Sequence, residues 1–506
     1  MGNKNPNHID FAGDYNLNGI IIQNHEGTGG KFKPDGGGVN IQALVQELNI
    51  YEGINQNAVY GTLVVVDSIG LLANLPIQGT ERLFFTLSTP GASSREHMVD
   101  ASEETGDPFY IYKVSNKQQA SQGTLVYTIH FASREFMRNI RTKVSKAYEG
   151  KLSDMVQDIV GDKEGLDSRK TLYFEETSNQ DKIVIPNVTP FKAIGMIAKR
   201  ALPKYGKGAG FYFYETTKGF YFHSWENMLS TFGEHARKPV QEFFYMPQNI
   251  VDEKLDEDKT LHDLKSVESY KFINTFHDTA AAQALGTYGH RVITHNLYDK
   301  SYNITDYNYH DSFNDTVHTD YDGDKITTKE DVAPVVFKNP VDYDNFNVSD
   351  YAESMVTYMP TTQFLHNEET GSFGIDVSQD ARLEGIRNAQ QMQIEAGTAV
   401  RMTIKGQSYI QPGHVIDFNI RPVEPDGRTT DGQTYDAQYS GRYVVCKIRH
   451  RVTKQDYKMV LECRKDSIRE NHYGTSIPNF TGTAVSEQLT SYELNNDNSP
   501  GHPRNR

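Results

Sequence analysis

The chain has few cysteines, one tryptophan and no long apolar run. Cys446 and Cys463 are the only thiols among 506 residues, which excludes a disulfide-stapled secreted scaffold. Both fall in predicted strands of one β-unit, and in a reducing cytosol we expect them to be free and buried. The single indole, Trp225, argues against a carbohydrate platform. No apolar stretch approaches the roughly 20 residues of a helical bilayer span. The N-terminal MGNKNPNHIDF has neither the basic nor the apolar region of a signal peptide, and Pro6 stands where a myristoylation signal after Gly2 wants Ser or Thr. We therefore expect no membrane partner, no lipid anchor and synthesis in the cytosol. Positive charge is in the minority, 51 Lys and Arg against 66 Asp and Glu, for a net −15. That balance is the reverse of a protein that grips nucleic acid by neutralising phosphates. It suits a surface past which nucleic acid slides.

Catalytic signatures are also missing. In GTGGKF, a phosphate loop would need Gly where His25 stands and Ser or Thr where Phe32 stands, so we read a glycine-hinged arm. Asp320, Asp322 and Asp324 with Glu330 alternate as calcium ligands do, but Lys325 takes the place of the required Gly and the loop is one residue short. A solvated acidic turn is the reading. His262, His277, His290, His295, His310 and His318 lack the paired spacing of a zinc helix. No nucleophile elbow or Cys/His signature occurs, while a glycosidase carboxylate pair stays open because carboxylates are plentiful. We expect no catalytic residue, no cofactor and no metal.

What the chain does have is length, tyrosine and a repeat. At 57.3 kDa it is too long for one core and points to three or four domains. Thirty tyrosines within an aromatic share of 11% suit small β-units. Tyr60–Asp67 and Arg82–Ser88 are alternating, β-rich runs that bracket Pro76 and Gly79. Arg401–Ile420 repeats the arrangement around Pro412 and Gly413. Each copy closes with a hairpin, Phe109–Ser133 and Tyr443–Ser467, in which Phe109–Val114 matches Tyr443–Ile448 and Lys113 falls over Lys447. The Pro and Gly pairs are the candidate structural residues, setting comparable bends in the two copies. Carrying two copies, a chain has built-in pseudo-symmetry, and a trimer would present six similar modules about an axis.

The organisation we expect is an extended N-terminal arm over 1–40 and a first β-domain over 41–135, with strands at Leu44–Tyr51, Tyr60–Asp67, Arg82–Ser88, Phe109–Val114 and Thr124–Ala132. An α-rich insertion with a Tyr/Phe hairpin follows over 136–250. It begins with a helical period through Ser133–Gly150, continues through Leu152–Asp162, and includes a helix from Thr189 as N-cap and Pro190, with a hairpin turn at Thr216–Gly219. An acidic, irregular domain spans 251–380, with a helix over Leu261–Asn274 and strands near Arg291–Tyr298. A second β-domain covers 381–467, entered by an amphipathic helix over Asp380–Ala396. Residues 468–506 form a polar tail.

Read in order, YGTLVVVD with LPIQGTERL, KVSKAYEGKLSDMVQDIV, IPNVTPFKAIGMIAKRA, GFYFYETTKGFYFHS and LGTYGHRVITHNLYDKSY resemble the baseplate central hub proteins of contractile-tailed bacteriophages. That family is related to the N-terminal part of type VI secretion spike proteins. The resemblance spans roughly 41–467 and implies an α+β, mostly β fold, with two tube-like antiparallel β-barrel domains, an α-rich insertion and an irregular acidic insertion. It implies a homotrimeric structural hub, not an enzyme, whose six β-modules ring a DNA channel without binding the DNA specifically. Implied partners are a tail tube protein or tube-initiating baseplate protein, the central spike protein and other baseplate proteins. The location would be the virion tail baseplate, after synthesis in the host cytoplasm. The fused lysozyme of some related spikes is absent, so lytic activity is not implied. A tail-associated cell-wall hydrolase and a receptor-binding tail module are the alternatives.

Overall fold

In the computed structural model, the described residues are 9–24, 38–75, 77–92, 97–102, 107–204, 210–229, 239–245, 259–275, 278–296, 300–320, 346–361, 365–367, 372–374, 396–421, 435–436 and 438–468. Pro76, the GTGGKF segment, His277, Asp322, Asp324, Glu330, the run expected to be helical before Ala396 and the tail after Ile468 lie outside them.

The fold is mostly β. Eight strands come first: β1 (Asn16–Gln23), β2 (Val39–Asn40), β3 (Val45–Gly53), β4 (Tyr60–Asp67), β5 (Arg82–Ser88), β6 (Val99–Ala101), β7 (Phe109–Ser121) and β8 (Thr124–Ala132). The alternation is plainest in β4, where Gly61, Leu63, Val65 and Asp67 turn inward. That is the period-2 signature of a half-buried sheet. The expected arm contributes β1, which pairs antiparallel with β5.

The insertion carries β9 (Val144–Lys151), β10 (Leu172–Phe174), β11 (Gln180–Val188), β12 (Phe211–Thr216) and β13 (Gly219–Ser224), with helices at Arg134–Arg141, Leu152–Gly161 and Pro190–Ala198. One expectation fails here. The helical period through Ser133–Gly150 ends at Thr142, which is extended, and β9 pairs antiparallel with β11. The inward residues of β9 are Val144 and Tyr148, four apart, a spacing that imitates a helix face. Thr189 and Pro190 do start their helix, although the Thr189 side chain makes no capping bond. Helices and sheets of the insertion enclose a separate core around Ile159, Ile194, Phe213 and Phe222.

Then follow β14 (Glu242–Tyr245), β15 (Val267–Asn274), β16 (Gly289–Asn296), β17 (Tyr302–Asn308), β18 (Val356–Thr361), β19 (Leu365–Asn367), β20 (Ser372–Gly374), β21 (Thr398–Lys405), β22 (Val415–Ile420), β23 (Gly441–Thr453) and β24 (Tyr457–Lys465). The second correction lies in this part. The helix expected over Leu261–Asn274 stops at Lys265, and Val267–Asn274 is a strand paired antiparallel with β21. Tyr270 and Phe272 alternate with the exposed Ser269, Lys271 and Ile273 in VESYKFIN, so the period is 2 rather than 3.6.

Fourteen strands join into one sheet, ordered β15-β21-β24-β23-β3-β4-β8-β7-β5-β1-β2, with β22 and β14 branching from β23 and β6 from β5. A single core runs beneath it, from Ile50, Leu63 and Ile129 to Met402, Tyr443 and Leu461. Cys463 is a free thiol in this core and Cys446 a free thiol in a neighbouring buried cluster with Tyr214 and Trp225, and burial pushes both up in pKa. Trp225 is fully buried against Tyr212. No helix among the described residues is long and apolar enough to cross a membrane.

Candidate assembly interface

Strand pairing makes the repeat visible rung by rung. In the first unit, Asn49 pairs with Thr62, Thr62 with His130, and His130 with Lys113. In the second, Lys271 pairs with Arg401, Arg401 with Glu462, and Glu462 with Lys447. The neighbouring rungs are Leu48, Leu63, Ile129, Val114 and Tyr270, Met402, Leu461, Ile448. Irregularities repeat as well. The register shifts between Ile111 and Lys113 in β7, and between Val445 and Lys447 in β23. It shifts between Val45 and Glu47 in β3, and between Val267 and Ser269 in β15. Bulges re-aim strands and are not placed by hydrophobic patterning, so two bulges at matching positions mark β3-β4-β8-β7-β5 and β15-β21-β24-β23-β22 as copies of one unit. The second copy thus reaches back to β15, within the 251–380 span expected to form the acidic domain.

Of the candidate structural residues, Gly79 lies on the loop entering β5, and Pro412 and Gly413 on the loop entering β22. Gly79 has φ of +91° and Gly413 has φ of +84°, a region that L side chains avoid. A Cβ on Gly413 would also fall 2.5 Å from Tyr214 Oη. Beyond each glycine one carbonyl receives the matching amide: Ile111 donates to the Glu81 carbonyl at 2.9 Å and Val445 to the His414 carbonyl at 2.8 Å. Pro412 is buried beside Gly413. Around Gly79, the buried Glu81 carboxylate accepts from the amides of Gln78, Gly79 and Thr80.

The copies meet where β23 pairs antiparallel with β3, from Lys447 opposite Gly53 to Thr453 opposite Glu47. On the solvent side Arg449 donates to Asn49 Oδ1 at 2.9 Å, and the Arg449 and Arg451 guanidiniums reach Glu47 at 3.3 and 3.1 Å. Partial burial opposes ionisation of Glu47, but its bonds from Asn49 and Arg451 and the two guanidinium charges hold its pKa below the usual range. Tyr51 stacks on Tyr60 and lies under the Arg449 guanidinium. On the core side His450 bonds Tyr457 Oη at 2.7 Å and lies 3.5 Å from Glu52. This seam therefore combines backbone pairing with ionic contacts on its solvent face and a buried His450–Tyr457 hydrogen bond on its core face.

Two buried ionic clusters fasten other elements to this sheet. Lys170 Nζ lies 3.0 Å from Glu135 and 2.5 Å from Glu215, and Glu215 also accepts from Ser133 and from the Val59 amide. The cluster ties the insertion to the first unit. Burial alone would discharge Lys170, but Glu215 and Glu135 outweigh it and raise its pKa. Burial raises Glu215 despite Lys170, whereas Glu135, with bonds from Lys170 and Ser168, ends below its ordinary value. The second cluster holds the segment ending at Asp320. His318 Nδ1 bonds Asp466 at 2.8 Å and its ring stacks on Phe313. Asp320, one of the alternating aspartates, is buried 3.7 Å from Lys465 and accepts from the Arg442 amide and Ser467. Sequence reasoning missed both clusters, because partners as far apart as Glu135 and Glu215 carry no spacing signal. His290 bonds Thr357 and His295 bonds Tyr358. No metal-ligating group of three or more side chains occurs among the described residues.

No protein-family model matches the chain, and no curated protein sequence matches it. Solved structures do resemble it over most of its length. A tail protein from Neisseria meningitidis MC58 matches 89% of this chain and 97% of its own at 10% identity, with a TM-score of 0.47. The 43 kDa tail protein of prophage MuSo2 from Shewanella oneidensis matches 88% of this chain and 98% of its own at 8% identity, with a TM-score of 0.46. The E. coli c3393 protein, a type VI secretion component described as structurally similar to T4 tail proteins gp27 and gp5, matches 86% of this chain and 77% of its own at 8% identity and a TM-score of 0.40. These are distant likenesses, at which neither activity nor assembly passes from one protein to another.

Proposed function

We propose that this chain is the structural hub of a phage tail baseplate. In this reading three copies form a ring of six β-units, which joins a hexameric tail tube to a trimeric spike and surrounds the DNA channel. The observation that carries it is the duplicated unit, which shares two bulges at matching positions and is joined edge to edge in one sheet. A chain with two equivalent modules converts threefold symmetry on one side into near-sixfold symmetry on the other. It thereby mates rings of unlike order.

The chemistry agrees with a passive conduit. Each chain brings a net −15, and a negative lumen repels phosphates, so DNA slides without being held. The buried carboxylates Glu135 and Glu215 are engaged by one lysine and serve packing, which supports an assembly role. The protein's place is the virion tail after synthesis in the host cytoplasm, with the tube or tube-initiating protein, the spike and other baseplate proteins as neighbours. Gly79 and Gly413, with Pro76 and Pro412, set the entry of corresponding strands in the two modules. Class averages of the purified chain by electron microscopy test the reading. A threefold particle with an axial hole and six similar lobes is expected; solid particles without a hole would overturn it.

A further inference from the structure

The seam inside the chain specifies the seam between chains. Within one chain the second unit offers the distal half of β23 and the first unit offers β3, and the two pair. By the rung equivalence above, the counterpart of β23 is β7 and the counterpart of β3 is β15. Each lacks the corresponding partner. Beyond Ile111, β7 pairs only with β8, and residues 116–121 are all exposed. Among the described residues β15 pairs along its length only with β21, and Ser266 just before it bridges Phe244 of β14, so the open edge begins beyond that bridge. Each chain thus displays one edge of each kind among its described residues, and the two edges are unlike. We infer that the distal half of β7 pairs antiparallel with β15 of a second copy, in the register of the β23·β3 seam. This deepens the ring reading and rests on it.

The register follows from the rungs. Within the chain Arg451 pairs with Asn49. Asn49 corresponds to Lys271. Arg451 faces Lys458, and Lys458 corresponds to Val126, which faces Gln118. Between Ser115 and Gln118 the first copy holds an extra residue, where Asn116 takes φ of +54°, so counting along the chain alone would miss the match by one. Gln118 of one copy thus lies opposite Lys271 of the next, and Gln119 opposite Tyr270. A head-to-tail contact of this kind closes into a ring or runs on as a filament. Unpaired edges otherwise invite promiscuous association, and Lys113, Lys117 and Lys271 on these two edges restrain it until the matching edge arrives.

Directly opposed residues of antiparallel strands bring their Cβ atoms to about 4.5–5.5 Å, within reach of a disulfide after small adjustments. The test uses the full chain carrying Gln118→Cys with Lys271→Cys, oxidised at the concentration at which its mass is measured by light scattering. Gln118→Cys with Ser269→Cys, slipped by two residues, is the register control, and each single variant is a blank. Unchanged circular dichroism melts show that these exposed substitutions leave the fold intact. The expected result is a trimeric mass and dimer and trimer bands on a non-reducing gel for the matched pair, at least tenfold above the slipped pair. Linking of the slipped pair instead would overturn the register. A trimeric mass with no linking would overturn the seam and leave the ring reading standing; a monomeric mass at every concentration with no linking would overturn both.

Discussion

At the scale of single residues, the decisive distinction is between charges that water reaches and charges that it does not. Arg449 and Arg451 at the seam are nearly half exposed, and exposed pairs of this kind contribute about 0–1 kcal/mol each. Lys170 is different, because Glu215 beside it is fully buried and Glu135 almost so. Replacing Lys170 by Met leaves two carboxylates in the core without their cation. Breaking a buried pair in this way costs about 3–5 kcal/mol, and we expect Lys170→Met to lower the urea midpoint accordingly at pH 7. The triple change Glu135→Gln, Lys170→Met, Glu215→Gln should recover much of the loss, since removing all the charges removes the desolvation penalty. Equal loss in single and triple variants would show that packing around Lys170, not charge, is what matters.

Among the elements, the cluster at His318 gives the segment 313–320 a dependence on pH. Burial lowers the imidazole's proton affinity, but the Asp466 charge and hydrogen bond with the Phe313 carbonyl outweigh it, so the pKa is raised above 6.5. Asp466 is lowered, its own burial being outweighed by His318 and by bonds from Thr319. A raised histidine contributes stability that is fully present below its unfolded value near 6.5 and is lost as pH rises through the folded value. Hydrogen exchange of residues 317–320 should therefore quicken as pH climbs above neutrality, after correction for the intrinsic rate. His318→Gln should abolish that trend. Elements were legible in the sequence where one period dominated. β4, β5 and β8 begin and end where alternation predicts. They were misread where few residues face inward, as in β9, or where a helix runs directly into a strand, as at Lys265. Of the candidate interface, the hairpin repeat and the match of Lys113 with Lys447 were legible. Assignment of β15 to the second copy was not, because pairing between distant strands leaves no local pattern.

Taken as a whole molecule, the proposed ring has two kinds of seam. The seam within the chain carries the Glu47, Arg449 and Arg451 contacts. Its counterpart between chains sets Gln118 and Gln119 against Lys271 and Tyr270 and relies on backbone hydrogen bonds. Salt screens charges across about 3 Å at 1 M, so the mass of the assembly should be unchanged between 0.1 and roughly 1 M NaCl. Dissociation by salt alone would mean that an ionic contact absent from this account holds the chains together.

The unlike free edges of β7 and β15 also bear on how such an assembly fails. A copy blocked at one edge still offers the other, so it enters a growing arc and stops it there. In a three-chain ring the yield of closed particles then falls as the cube of the unblocked fraction. Damage to one short strand would act on its neighbours' behalf as well as its own, each defective copy disabling up to two sound ones.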